Sequence, residues 1–154
     1  MDWFVHLSFH KGNMHTADLL DTIGGLTSRL KVYASKLPPV VHLTAVPTGV
    51  KPQLEVIEEY EDLVSRIRTQ SAGTPYKTLN GALLESLEAF EAGRLLGAIH
   101  PLLALLDQIE RMKADQEIEV GRIDEKRVQE YRSILRKIMP GNKPELEETG
   151  RNLT

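Results

Sequence analysis

The sequence contains no cysteine, and this absence excludes several kinds of chemistry at once. Disulfide bonds, thiol nucleophiles and zinc sites with cysteine ligands all require this residue. Chains without cysteine fit reducing and oxidising compartments equally well, so the compartment stays open.

Aromatic residues are scarce, at 5% of a chain of 154 residues. The core must therefore be mainly aliphatic, and an aromatic platform for stacking on sugars is poorly supplied. With 41% hydrophobic and 27% charged residues, the composition is that of a globular chain long enough to bury a core.

The sequence also lacks an excess of positive charge, since its net charge is −3. Nucleic acids and anionic membranes attract strongly basic surfaces, so neither is expected as a partner. The first residues, MDWFVHLSFHKGN, have no basic start and no long apolar run, which argues against a signal peptide or a membrane span. A soluble chain of unknown compartment is expected.

Apolar residues recur every three or four positions over most of the sequence, which is the period of an amphipathic α-helix. The pattern predicts a mainly α fold, an antiparallel bundle of four to five helices near 16–37, 52–69, 76–92, 95–113 and 125–139. Thr16 and Asp124 are the expected N-caps of the first and last of these helices, and Gly93 is the expected stop of the third. The pair Gly24-Gly25 inside the first one predicts either a closely packed neighbour or a bend.

Two runs near the N terminus, 3–9 and 40–46, alternate or are rich in β-branched residues, which predicts a minor two-stranded β element. A lone ribbon is marginal in water, so we expect it to pack on the helices or to extend across a homodimer. A single domain is predicted over 1–139, with a strand–helix–strand part at 1–50 and the bundle at 51–139. Residues 140–154 are expected to be a flexible tail.

The stretch EAGRLLGAIHP contains Arg94 and His100 at a spacing that resembles the ribonuclease motif of the HEPN families. On a continuous helix this spacing leaves the side chains about 120° apart around the axis and about 9 Å apart along it, so they do not converge. A kink at Pro101 changes that distance. The structural interpretation, with Arg94 solvated after the Gly93 stop and His100 at the surface, is favoured over a catalytic pair.

Three histidines, His6, His10 and His15, fall in the short stretch HLSFHKGNMH and are the candidate metal ligands. If residues 3–9 form a strand, His6 and His10 are about 13 Å apart, too far to share an ion. Solvent-facing histidines are therefore favoured unless His10 and His15 meet across the turn, and no metal or cofactor is predicted.

The second half of the sequence joins a Leu-rich helix, a closing glycine, a second helix with Ala and Leu, a Gly-Ile step and a third helix. The segments are SLEAFEAGRLLGAIHPLLALLDQI, GRID and YRSILRKI. Residues 60–139 thereby resemble the FIMAH module, a helical domain of secreted bacterial enzymes that act on polysaccharides. The resemblance implies an extracellular accessory or binding role without catalytic residues. The positions that carry it are Leu87, Gly93, Ala98, Leu102, Ile109, Gly121, Ile123, Leu135 and Ile138.

The sequence therefore leaves three functional hypotheses. The favoured one is a non-catalytic protein-interaction or regulatory module that binds another protein or a second copy of itself. The alternatives are a HEPN-like ribonuclease using Arg94 and His100, and an accessory module of a polysaccharide-associated protein.

Overall fold

The computed structural model describes residues 14–37 and 51–139, which form five α-helices and a short 3-10 helix. The α-helices are α1 (Thr16–Ser35), α2 (Leu54–Gln70), α3 (Asn80–Glu91), α4 (Leu95–Ala114) and α5 (Arg122–Lys137), and the 3-10 helix is Pro75–Leu79. The mainly α prediction is confirmed, and each predicted helix is present. The predicted strands at 3–9 and 40–46 and the predicted tail at 140–154 lie outside the described residues.

Each helix packs antiparallel to the one that follows it. The ion pair of Arg29 with Glu59 joins the late part of α1 to the early part of α2, as antiparallel neighbours require. In the same way, Lys113 near the end of α4 pairs with Glu125 near the start of α5. The short connections that follow α2, α3 and α4 favour this up-and-down order.

The first and last helices close the bundle side by side and run parallel. Arg127 of α5 pairs with Asp21 of α1, and one turn later Tyr131 lies against Gly24. The C-terminal end of α1 therefore lies at the same end of the bundle as the start of α2 and the turn between α3 and α4.

The core is aliphatic, as the composition requires, and the predicted inward-facing stripe of α1 is fully buried at Leu19, Ile23, Leu26 and Leu30. Leu54 continues the apolar spacing of α2, yet 69% of its surface is exposed because it occupies the first helical position, at the end of the bundle.

The glycine pair of α1 provides close helix packing on two sides. A Cβ at Gly24 would lie 2.5 Å from Oη of Tyr131 in α5, and a Cβ at Gly25 would lie 3.1 Å from Cδ1 of Leu63 in α2. Of the two explanations that the sequence left open, the structure supports the closely packed neighbour. The helix-propensity cost of the pair is offset by the approach of two other helices.

Two predicted helix caps are displaced in the structure. His15, not Thr16, is the N-cap of α1, and Gly121, not Asp124, precedes α5. The Thr16 hydroxyl is instead buried, where it donates to the carbonyl of Glu119 at 2.7 Å and accepts from the Tyr76 hydroxyl. It thus ties α1 to the 3-10 helix and to the connection before α5.

Gly93 ends α3 as predicted. The φ angle of Gly93 is +76°. The backbone N–H of Arg94 donates to the carbonyl of Ala89, and the backbone N–H of Gly93 donates to the carbonyl of Phe90. These bonds satisfy carbonyls at the helix end, and the left-handed backbone suits a residue without Cβ.

Replacing Gly93 with alanine is expected to lower the free energy of unfolding by about 1–2 kcal/mol. Besides the backbone strain, the new Cβ would lie 3.2 Å from Cγ of Lys51. Urea unfolding followed by circular dichroism measures the change. Gly81→Ala is the matched control, because a Cβ at this position would have no atom within 4 Å. The substitution also lowers the conformational entropy of the unfolded chain. The control should gain about 0.4–1 kcal/mol, and equal effects of the two substitutions would contradict the assignment of Gly93.

Candidate functional site

The candidate catalytic pair, Arg94 and His100, lies at the start of α4. Arg94 is the N-cap of this helix and His100 lies in its second turn, and both residues are exposed. The helix runs without interruption from Leu95 to Ala114, with Pro101 buried inside it. The pair thus does not straddle a break in the helix, and ribonuclease chemistry stays an alternative hypothesis.

The candidate metal ligands are only partly within the described residues. His6 and His10 lie outside them, and His15 is exposed at the N-cap of α1, where its backbone N–H donates to Oδ2 of Asp18 at 3.1 Å. Within 14–37 and 51–139, no group of three or more histidine, aspartate and glutamate side chains is placed to hold a metal ion.

A groove with a volume of about 460 Å³ lies between the C-terminal half of α1 and the start of α2. We call it the α1–α2 groove. Its lining comes from one stripe of α1 and from the segment that leads into α2. These residues are Ser28, Arg29, Val32, Tyr33, Lys36, Lys51, Pro52, Gln53, Val56 and Glu59.

One wall of the groove is anchored in the core by an aromatic cluster. The Tyr33 ring meets the edge of Phe90 with ring centres 5.5 Å apart, and Phe90 stacks on Tyr60 at 4.4 Å. The Tyr33 hydroxyl also donates to the carbonyl of Gly93 at 3.1 Å, and burial raises its pKa, so the phenol stays neutral. The wall is therefore held in place before any ligand binds.

Val32 is the most exposed apolar side chain of this lining, with 51% of its surface in water. Val56 and Pro52 face it from the other side of the groove and are partly buried. Exposed aliphatic surface within a concavity is the usual setting for an anchor side chain of a partner.

The charges of the groove are distributed unequally along it. At one end, Nε of Arg29 donates to Oε1 of Glu59 at 3.2 Å, which joins the two walls. At the other end lie Lys36 and Lys51, and neither amine has a salt bridge within the part of the chain that the structure describes. The groove thus has a neutral end and a cationic end.

The most buried polar side chains serve the fold. Ser86 donates to the carbonyl of Ala98 at 2.7 Å, which leaves its oxygen to accept from the hydroxyl of Tyr60. Burial raises the pKa of Tyr60, although its bond with Ser86 opposes the shift. This chain of bonds joins α2, α3 and α4 inside the core.

Sequence reasoning missed the α1–α2 groove because its two sides are separated along the chain. The available signal was Val32, an aliphatic residue on the otherwise polar face of α1, one position outside the inward stripe that ends at Tyr33. A lone exposed aliphatic side chain is common, so only its position opposite Val56 gives it meaning.

Comparisons of the chain with protein-family models, curated proteins and solved structures found no match. Among the helices within 14–37 and 51–139, none combines the length and the apolar character that crossing a membrane requires. The case for a function therefore rests on the groove and on the residues that line it.

Proposed function

We propose that this protein is a non-catalytic interaction module that holds a segment of a partner protein in the α1–α2 groove. The observation that carries this proposal is the half-exposed Val32 inside a concavity whose tyrosine wall is fixed by the core. Pre-positioned walls reduce the ordering cost of binding.

The shape of the groove supports a peptide segment as the ligand. It lies between two antiparallel helices, the arrangement in which helix-in-groove recognition occurs. The apolar surface of Val32, Val56 and Pro52 is suited to an aliphatic anchor, and the polar rim of Gln53 and Ser28 offers hydrogen bonds around it.

Selection of random peptides displayed on phage against the whole chain tests this proposal. The strongest peptides are then measured by fluorescence anisotropy with the wild type, Val32→Ser and Ile123→Ser. The last variant is the matched control, since Ile123 is also an exposed aliphatic residue but lies at the opposite end of the bundle, at the start of α5.

Val32→Ser is expected to weaken binding about tenfold, the effect of losing roughly 1.4 kcal/mol of apolar contact, whereas Ile123→Ser leaves it unchanged. Circular dichroism confirms that both variants fold. Failure to select any peptide, or an equal loss with both variants, would remove the groove as the binding site. RNA incubation with the wild type and His100→Ala gives a separate result for the ribonuclease hypothesis.

A further inference from the structure

The rim of the α1–α2 groove is cationic although the chain as a whole is acidic. Its lining contains three basic side chains, Arg29, Lys36 and Lys51, and one acidic side chain, Glu59. The net charge of the whole chain is −3. A local sign opposite to that of the whole molecule makes the groove distinctive to a charged partner.

Only the two lysines are left to act on a ligand. The Arg29 guanidinium is occupied by Glu59 and by the carbonyl of Gly25, to which its second nitrogen donates at 3.1 Å. At the end of the groove where the lysines lie, the C terminus of α1 is close to the N terminus of α2. The negative partial charge of the first helix end is therefore offset by the positive partial charge of the second. Lys36 and Lys51 therefore set the sign of the unpaired charge on the lining.

The spacing between the apolar and cationic parts limits what fits. Lys36 follows Val32 by one helical turn, so its Cα lies about 6 Å farther along the helix axis than the Cα of the valine. A helical partner would contact Val32 and Lys36 with an aliphatic residue and a carboxylate residue that lie one helical turn apart. In an extended partner, the aliphatic residue and the carboxylate residue would be separated by one intervening residue.

From this arrangement we infer that the groove selects an acidic segment of a partner protein, with an aliphatic anchor over Val32 and Val56 and an Asp or Glu side chain against Lys36 and Lys51. This inference rests on the proposed function and adds the chemistry of the partner. Binding is then electrostatically steered and weakens as the salt concentration rises.

The experiment uses the strongest peptide selected on phage, synthesised with an amidated C terminus in three versions. Its carboxylate side chains are retained, changed to amides, or changed to lysines. The affinities are measured by anisotropy at low and high salt with the wild type and with the double variant Lys36→Glu, Lys51→Glu. Lys77→Glu combined with Lys126→Glu is the matched control, because both lysines are exposed at the other end of the bundle.

The acidic version should bind about tenfold more tightly than the lysine version, and the order should reverse in the groove variant but not in the control. This inference would be overturned if the selected peptides contained no carboxylates, or if the order of affinities were the same for the groove variant and the wild type. The proposed function would still stand in either case if binding depended on Val32. If no peptide binds, both fall. Self-association that is lost in Val32→Ser would show a second copy in the groove and would also overturn the inference.

Discussion

Replacing Phe90 with alanine is expected to lower the free energy of unfolding by about 3–5 kcal/mol. Phe90 is fully buried, stacks on Tyr60 with an interplanar angle of 21° and meets Tyr33 edge to face at 82°. Alanine removes the ring that both tyrosines contact and leaves a cavity that helices fixed by many other contacts only partly close. Urea unfolding measures the loss.

Phe90→Leu is the control, since it keeps most of the volume and should cost less than about 1.5 kcal/mol. Because Phe90 supports the Tyr33 wall, Phe90→Ala should also weaken peptide binding to the α1–α2 groove at temperatures where the variant is still folded. A stability loss below about 1 kcal/mol would contradict the packing of this cluster.

The second large effect is expected at Ser86. Ser86→Ala leaves the buried hydroxyl of Tyr60 without its acceptor and removes the bond to the carbonyl of Ala98. The cost is about 1–3 kcal/mol, the penalty of an unsatisfied buried polar group. Chemical denaturation measures it, with Ser35→Ala as control, because Ser35 is exposed and donates within its own helix.

A double-mutant cycle separates the hydrogen bond from packing. Once Ser86 is alanine, Tyr60→Phe removes a hydroxyl that has already lost its partner, so the double variant should lose less stability than the two single variants together. A coupling of about 0.5–2 kcal/mol is expected. Strictly additive losses would show that the two hydroxyls do not form the inferred chain.

The fate of individual sequence predictions shows which kinds of inference succeed. The apolar period of the predicted helix near 76–92 indicated one buried face, and the residues with that spacing, Leu79, Leu83, Leu87 and Phe90, are all buried. Leu54 fits the apolar spacing of α2 but is exposed, because periodicity gives the direction of a side chain around a helix and not whether a neighbour covers that turn.

Sites depend even more on information that spacing lacks. The relation of Arg94 to His100 depends on whether a helix continues through Pro101, and local sequence favours neither answer alone. The bond from Tyr60 to Ser86 joins residues of two helices that no motif connects. Capping was likewise decided by context, since Thr16 was suited to a cap but is used as a buried donor.

By itself the sequence determined that this protein is mainly α, where its helices lie, that Gly93 ends one of them and that cysteine chemistry is excluded. These are local properties, fixed by helical period, by backbone freedom at glycine and by composition. The tertiary structure alone decided that Val32 and Val56 face each other and that Lys36 and Lys51 share a rim. The physical reason is that a groove exists only between surfaces, and the approach of α1 to α2 is set by packing, including the contact of Gly25 with Leu63.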